Sequence, residues 1–207
     1  MARVALLDYG SSNLRSVAKA LQAAATPGTD IHISTTAAEL RRADRIVFPG
    51  QGAIGQCMQR LRQMDLVAAL SDSLRNKPFL GICLGLQSLM STSDENGGTP
   101  CLDIVSGNVR RFPALTGLKV PHMGWNQVAQ RKSHPLWKGI PSGERFYFVH
   151  SYFVAPADDS WTAGSTEYGS SFTSALARDN IFAVQFHPEK SQRAGLTLLS
   201  NFLRWDP

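Results

Sequence analysis

Pro78-Phe79-Leu80-Gly81-Ile82-Cys83-Leu84-Gly85-Leu86-Gln87 is an apolar run, a glycine-flanked cysteine and the start of a second apolar pattern. Pro78 to Cys83 has the length and composition of a buried strand, and Leu84 to Met90 reads as a helix. A strand that feeds a helix through a tight turn is one unit of a parallel sheet. The same alternation extends towards the N-terminus. Val4 to Asp8 is a short apolar run that ends in the turn formers Tyr9-Gly10-Ser11-Ser12-Asn13. Leu14, Val17, Ala18 and Leu21 recur at helical spacing, and that helix stops near Thr26-Pro27-Gly28. Ile31 and Ile33 alternate with polar residues as in a strand. Ile46-Val47-Phe48 is a buried-type strand cut off by Pro49-Gly50-Gln51-Gly52. Cys57, Leu61 and Met64 mark a helix, and Val67, Leu70 and Leu74 carry the pattern on to about Asn76. Residues 1–90 therefore predict a parallel sheet with helices on both faces. Ligands of such sheets bind beyond the carboxyl ends of the strands. The Pro49–Gly52 loop and the turn at Cys83 both fall there.

Past Cys101 the segments become short, β-rich and punctuated by glycine and proline as far as Asp179. Phe146 to Val154 is the strongest strand signal, and Ile181 to His187 is another. A helix carrying Leu196, Leu199 and Leu203 closes the chain. No repeat or linker divides the sequence, so residues 1–207 read as one domain of mixed α/β type.

Bulk properties exclude several function classes. At 207 residues and 43% hydrophobic, the chain builds a sizeable core. No apolar run approaches the roughly 18 residues of a membrane span. Met1 to Asp8 reaches an acidic residue too early for a signal peptide, so the chain reads as cytoplasmic. The formal charge of +5 comes from scattered lysines and arginines, which argues against a nucleic-acid partner. Three cysteines, Cys57, Cys83 and Cys101, are too few and too odd for a disulfide framework, and none has zinc-ligand spacing. Neither a metal nor a cofactor is implied.

Cys83 stands apart from the other two. Glycines two residues away on each side permit a sharp strand-to-helix turn that a Cβ would obstruct. The helix N-terminus supplies backbone N–H groups and positive potential, which favour thiolate over thiol. The N–H of Leu84 is placed to meet an oxyanion on the attacked carbonyl. Cys57 sits on an apolar helical face, and Cys101 follows a proline in irregular sequence. Both read as structural or incidental.

A cysteine nucleophile needs a base, and the base needs a group that fixes its orientation. His187-Pro188-Glu189 ends an apolar strand. In extended backbone, residues i and i+2 point the same way, so Glu189 reaches the His187 imidazole. Of the other histidines, His32 lies in an early strand, and His122 and His134 adjoin prolines. His150 is mid-strand, near the expected site.

These segments resemble the class I, triad-type glutamine amidotransferases. The likeness rests on Pro49-Gly50-Gln51-Gly52, on Gly81-Ile82-Cys83-Leu84-Gly85-Leu86-Gln87 and on Gln185-Phe186-His187-Pro188-Glu189. They occur in the family's order along the whole chain. The resemblance implies a flavodoxin-like doubly wound mixed sheet. It also implies a reaction in which Cys83 attacks the glutamine amide, His187 shuttles the proton and Glu189 orients His187. Gln87 and the Gly50–Gly52 loop would contact glutamine, and the loop would supply a second oxyanion donor.

Further segments resemble one branch, the glutaminase subunits of imidazole glycerol phosphate synthases. They are Asp8-Tyr9-Gly10, Asn13-Leu14-Arg15-Ser16-Val17, Met123-Gly124-Trp125-Asn126, His134-Pro135-Leu136, Phe146 to Tyr152 and Lys190-Ser191. This second likeness implies a (β/α)8-barrel cyclase partner that receives the ammonia in histidine biosynthesis. It assigns His150, Ser151 and Tyr152 to glutamine binding and Asn13, Trp125 and Lys190 to the partner-facing surface. The glutaminase of another pathway, such as pyridoxal phosphate synthesis, is the rival reading, and a regulator that has kept only the fold is another. Three positions depart from the pattern: Ser12 and Ala183 where glycine is usual, and Gln51 where an apolar residue is usual.

Overall fold

The computed structural model describes residues 2–114 and 116–207. The first half runs β1 (Ala2–Leu7), α1 (Leu14–Ala24), β2 (Thr29–Ser34), α2 (Ala37–Arg42) and β3 (Arg45–Gly50). It continues with α3 (Ile54–Gln63), α4 (Val67–Asn76), β4 (Phe79–Cys83) and α5 (Leu84–Gln87). The second half comprises β5 (Met90–Ser93), β6 (Thr99–Pro100), β7 (Val105–Arg111), β8 (His122–Gln130) and β9 (Glu144–His150). Then follow β10 (Tyr152–Pro156), β11 (Thr162–Tyr168), β12 (Ser170–Arg178), β13 (Ile181–Val184) and α6 (Gln192–Arg204).

β2, β1, β3, β4 and β13 pair in that order, all parallel. β12 joins β13 antiparallel and leads through β10 to β7. β8 and β9 form an antiparallel pair tied back through β11. This is the doubly wound mixed sheet expected from the sequence. The apolar runs are uninterrupted because both faces of each central strand are covered. Val4 and Leu6 of β1 and Val47 of β3 pack with Val17 and Leu21 of α1 and Leu199 and Phe202 of α6. Ala5, Leu7, Ile46 and Phe48 point the other way, towards Leu40 of α2, Leu61 of α3 and Leu70 of α4. Each such fully buried side chain contributes about 2 kcal/mol. Among the described residues, no helix is long and apolar enough to cross a membrane.

Four local features differ from the sequence reading. The helix expected over Leu84–Met90 stops at Gln87, because Met90 pairs with Val105 of β7 and so begins a strand. The pattern from Cys57 to Asn76 is two helices. Asp65 adopts φ 52°, and the Leu66 N–H returns to the Leu61 carbonyl, closing α3 in a Schellman-type stop. Phe146–Val154 is two strands with different partners, broken at Ser151. α2 has no counterpart in the sequence reading. It opens with a Thr36–Glu39 capping box, in which side chain and backbone satisfy each other at both positions.

Candidate active site

Cys83 ends β4 with φ 54° and ψ −103°, immediately before α5. Two glycines make this turn possible. A Cβ on Gly85 would stand 1.9 Å from the Phe48 carbonyl oxygen, and one on Gly81 would stand 2.8 Å from the Gly85 carbonyl oxygen. Cross-strand register brings the other groups to the cysteine. Gly50 of β3 is paired with Cys83, and Val184 of β13 with Ile82. The Pro49–Gly52 loop therefore flanks the cysteine on one side, and the segment from Gln185 to Glu189 flanks it on the other. Ala183 is accommodated because its cross-strand partner is Gly81. A Cβ on Gly81 would lie 3.0 Å from the Ala183 methyl.

His187 keeps extended dihedrals, φ −104° and ψ 96°, but the strand does not continue to Glu189. β13 ends at Val184, and Pro188–Lys190 is a 3-10 turn with His187 at its N-terminal boundary. The turn brings Glu189 Oε1 to 2.8 Å from His187 Nδ1, with both side chains fully buried. Three contacts staple it to its surroundings. The His187 N–H donates to the Tyr147 carbonyl, and the Ser191 hydroxyl accepts from the Tyr147 N–H and donates to the His187 carbonyl. α6 closes from behind: a Cβ on Gly195 would lie 1.9 Å from the Pro188 carbonyl oxygen.

The electrostatics favour an ion pair. Burial opposes a charge on His187, but the adjacent Cys83 sulfur and the Glu189 carboxylate outweigh it and push its pKa up to about 10. Burial likewise opposes a charge on Glu189. The hydrogen bonds and charge of His187, with a bond from Asn13, hold its pKa below the ordinary carboxylate value. His187 Nε2 is buried without a hydrogen-bond partner and adjoins the Cys83 sulfur. A ring held at Nδ1 with Nε2 free beside a thiol has the geometry of an acid–base catalyst paired with a nucleophile.

A cavity of about 260 Å³ opens against Cys83. Leu84, Gln87, Gln51, Gly52, His150, Ser151 and Tyr152 line it, so seven of the eight residues expected to hold a substrate meet there. Gly50 does not line it; it pairs with Cys83, and a Cβ on it would collide with Tyr9 and Leu84. Glu95 also lines the cavity; the sequence reading misses it, because it is isolated in an irregular segment and carries no local signal.

Trp125 and Lys190 lie away from the cavity. Trp125 is 43% exposed and packs edge-on against Tyr147, whose ring also carries the Lys190 ammonium at 5.8 Å. Asn13 departs from its expected surface position. It is buried, and its Nδ2 donates to Glu189 Oε1 at 3.2 Å, because α1 begins directly against the Pro188–Lys190 turn. Its side chain makes no capping bond to α1.

A family model described as glutamine amidotransferase class-I matches residues 5–205. The chain is 55% identical to the imidazole glycerol phosphate synthase subunit HisH of Nitrosococcus oceani, covering all of this chain and 99% of the relative. It is also 55% identical to the like-named subunit of Aromatoleum aromaticum, over the full length of both. Among solved structures, a putative GMP synthase subunit protein from Thermoplasma acidophilum superposes with TM-score 0.70 at 22% identity, covering 99% and 93% of the two chains. The glutaminase domain of Trypanosoma brucei CTPS with bound acivicin gives TM-score 0.65 at 18% identity, covering 100% and 96%. These two likenesses are of fold.

Proposed function

Because the chain belongs to the class I glutamine amidotransferase family, we propose that Cys83, His187 and Glu189 hydrolyse glutamine within it. The observation that carries this reading is the buried His187–Glu189 pair beside a strained cysteine at the mouth of a cavity of amino-acid size. The Cys83 thiolate attacks the side-chain amide carbon of glutamine. The oxyanion is met by the Leu84 N–H and the Gly50–Gly52 loop. His187, protonated, gives its Nε2 proton to the departing nitrogen, and ammonia leaves a glutamyl thioester on Cys83. Neutral His187 then takes a proton from water, whose oxygen attacks the thioester, and glutamate is released. Glu189 holds the imidazole by Nδ1 throughout, and Asn13 holds Glu189. Gln51, Gln87, His150, Ser151 and Tyr152 grip the amino-acid end, and the Glu95 carboxylate at the cavity wall suits an ammonium group.

The relatives are named as subunits of imidazole glycerol phosphate synthase. By that kinship the ammonia passes to a (β/α)8-barrel cyclase subunit, which forms imidazole glycerol phosphate and aminoimidazole carboxamide ribotide in histidine biosynthesis. Trp125, edge-on to Tyr147, and Lys190 over the same ring, with exposed Met123 on the same strand as Trp125, supply the partner-facing surface. Three free thiols are in keeping with a cytoplasmic setting.

The test is co-purification with the cyclase, followed by assay of glutamate release with and without the cyclase's nucleotide ligand. Release that needs Cys83 and rises with partner and ligand is expected. A Cys83→Ala variant of unchanged activity would overturn the mechanism.

A further inference from the structure

A single line of hydrogen bonds, half-buried at its outer end and buried towards the cysteine, runs from β8 to the Cys83 sulfur, and the groups at its ends set the direction of each link. Asn126 fixes the outer end. Its Oδ1 accepts from the Gln127 N–H at 2.8 Å, and its Nδ2 donates to the Glu167 carbonyl at 2.9 Å. The other Nδ2 hydrogen meets His122 Nε2 at 3.2 Å, so that ring nitrogen is an acceptor. The His122 proton is then on Nδ1, which lies 2.9 Å from His150 Nε2. His150 accepts there, so its own proton is on Nδ1, 2.7 Å from the Tyr152 carbonyl oxygen. A carbonyl only accepts, which closes this half of the chain.

The second half starts from the same oxygen. Gln87 Nε2 donates to the Tyr152 carbonyl at 3.0 Å and to Gln185 Oε1 at 3.1 Å. Gln185 therefore presents its Nε2 to Cys83 Sγ, 3.6 Å away. Were both amides turned over, Gln185 would set an oxygen lone pair against the sulfur and oppose a thiolate. The orientation of two amides thus depends on where one carbonyl stands. That carbonyl is on the first residue of β10, next to the break at Ser151, where Tyr152 opposite Arg111 is the end pair of the β7–β10 ladder. The His150 ring spans the break, and His122, directly opposite in the β8–β9 register, holds the ring. His122 itself is stacked between Tyr168 and Phe148, with ring centroids at 3.9 and 4.8 Å.

We propose that His122 is a positioning residue for the nucleophile: through His150 and the Tyr152 carbonyl it sets the amides of Gln87 and Gln185 so that an N–H meets the Cys83 sulfur. The proposal rests on the reading of Cys83 as the nucleophile and reaches outside the residues that touch glutamine. Both histidine rings are neutral in this arrangement. Burial agrees, lowering His122 to about 4 and His150 to about 3.

The test uses the full-length chain with ¹⁵N-labelled histidine, together with His122→Phe and His122→Asn variants. Phenylalanine keeps the ring stack and removes the donor; asparagine keeps an N–H near the Nδ1 position. Long-range ¹H–¹⁵N spectra of the wild type should show His122 and His150 as neutral Nδ1–H tautomers. His122→Phe should slow iodoacetamide alkylation of Cys83 about tenfold, and lower kcat of the cyclase complex about tenfold with KM for glutamine changed less than about threefold. His122→Asn should recover most of both losses. An Nε2–H or doubly protonated ring at either position overturns the proposal. So does wild-type alkylation in His122→Phe, or equal loss in both folded variants, which would mark a packing effect. If His122→Phe does not fold, the wild-type tautomers decide. The spectra and the alkylation need no glutamine, so failure of the glutaminase reading would be seen separately as a wild-type complex that releases no glutamate.

Discussion

The side-chain amide of Gln51 donates a hydrogen bond to the hydroxyl of Ser12. Both are positions that the family resemblance marks as unusual, and they lie on neighbouring loops after β3 and β1. The bond ties the loop beside the oxyanion position to the loop that carries Asn13. Ser12→Gly and Gln51→Val should therefore not act independently. Their double-mutant cycle should show a coupling of about 1 kcal/mol in transition-state stabilisation for glutamine hydrolysis. Additive kcat/KM values across the four proteins would show that the two departures are unrelated.

The buried chain Asn13–Glu189–His187 ranks the effects of its members. Glu189→Gln should lower kcat on the order of a hundredfold or more, because a neutral amide no longer fixes the tautomer or supports the imidazolium. Asn13→Ala removes one bond to the carboxylate and should cost roughly tenfold, with KM for glutamine little changed. Steady-state glutamate release in the cyclase complex measures both. An Asn13→Ala loss as large as that of Glu189→Gln would contradict the order.

Glycine-to-alanine changes should separate into two groups. At Gly85 and Gly195 the new methyl would meet a backbone carbonyl oxygen at 1.9 Å, which no side-chain movement relieves. Each should destabilise the fold by about 3 kcal/mol or more. At Gly52, with φ +98°, nothing lies within 4 Å of the added Cβ. Only backbone strain of roughly 1–2 kcal/mol is expected there. Urea unfolding midpoints with constant slope would establish the order, and equal losses at Gly52 and Gly85 would refute it.

Acid should destabilise the protein well above the carboxylate range. Burial lowers His122 and His134 to about 4 and His150 to about 3. In the unfolded chain each titrates near the ordinary 6.5. Between these values the unfolded state binds more protons, so stability rises with pH. The contribution is complete above about pH 6.5 and is lost as pH falls from there to the folded-state values. Each ring is worth up to roughly 2 kcal/mol by pH 5. Because His187, raised to about 10, gains stability as pH falls towards 6.5, the fall in unfolding free energy should be read between pH 6.5 and 5, and His122→Phe should flatten it. A profile flat to pH 5 would mean that these rings are not held neutral.

Much of the site was legible because its signals are local. The glycines two residues on either side of Cys83 announce a sharp turn, since the turn excludes a Cβ at those positions. Apolar runs bounded by Pro49-Gly50 and by Cys83-Leu84 mark strands ending on one side of a sheet. What failed were boundaries and roles set by distant partners. Met90 has the composition to continue a helix, and only Val105 makes it a strand. Phe146–Val154 is one hydrophobic run, yet β8 and β7 claim its two halves. His187 and Glu189 meet at the 2.8 Å bond, but Glu189 does so from a 3-10 turn rather than from a strand, a change of backbone set by what packs around the turn.

The sequence by itself determined the alternation of strands and helices and the parallel core, and it singled out Cys83, His187 and Glu189 as the candidate triad. Each of these depends on residue type and short-range spacing. Only the tertiary structure decided that Asn13 turns inward to Glu189, that Ser12 bonds Gln51 and that His122 stands opposite His150. Those three contacts join residues 176, 39 and 28 positions apart, respectively. Such pairs are fixed by strand register and by the packing of α1 against the turn after β13, which no local pattern encodes.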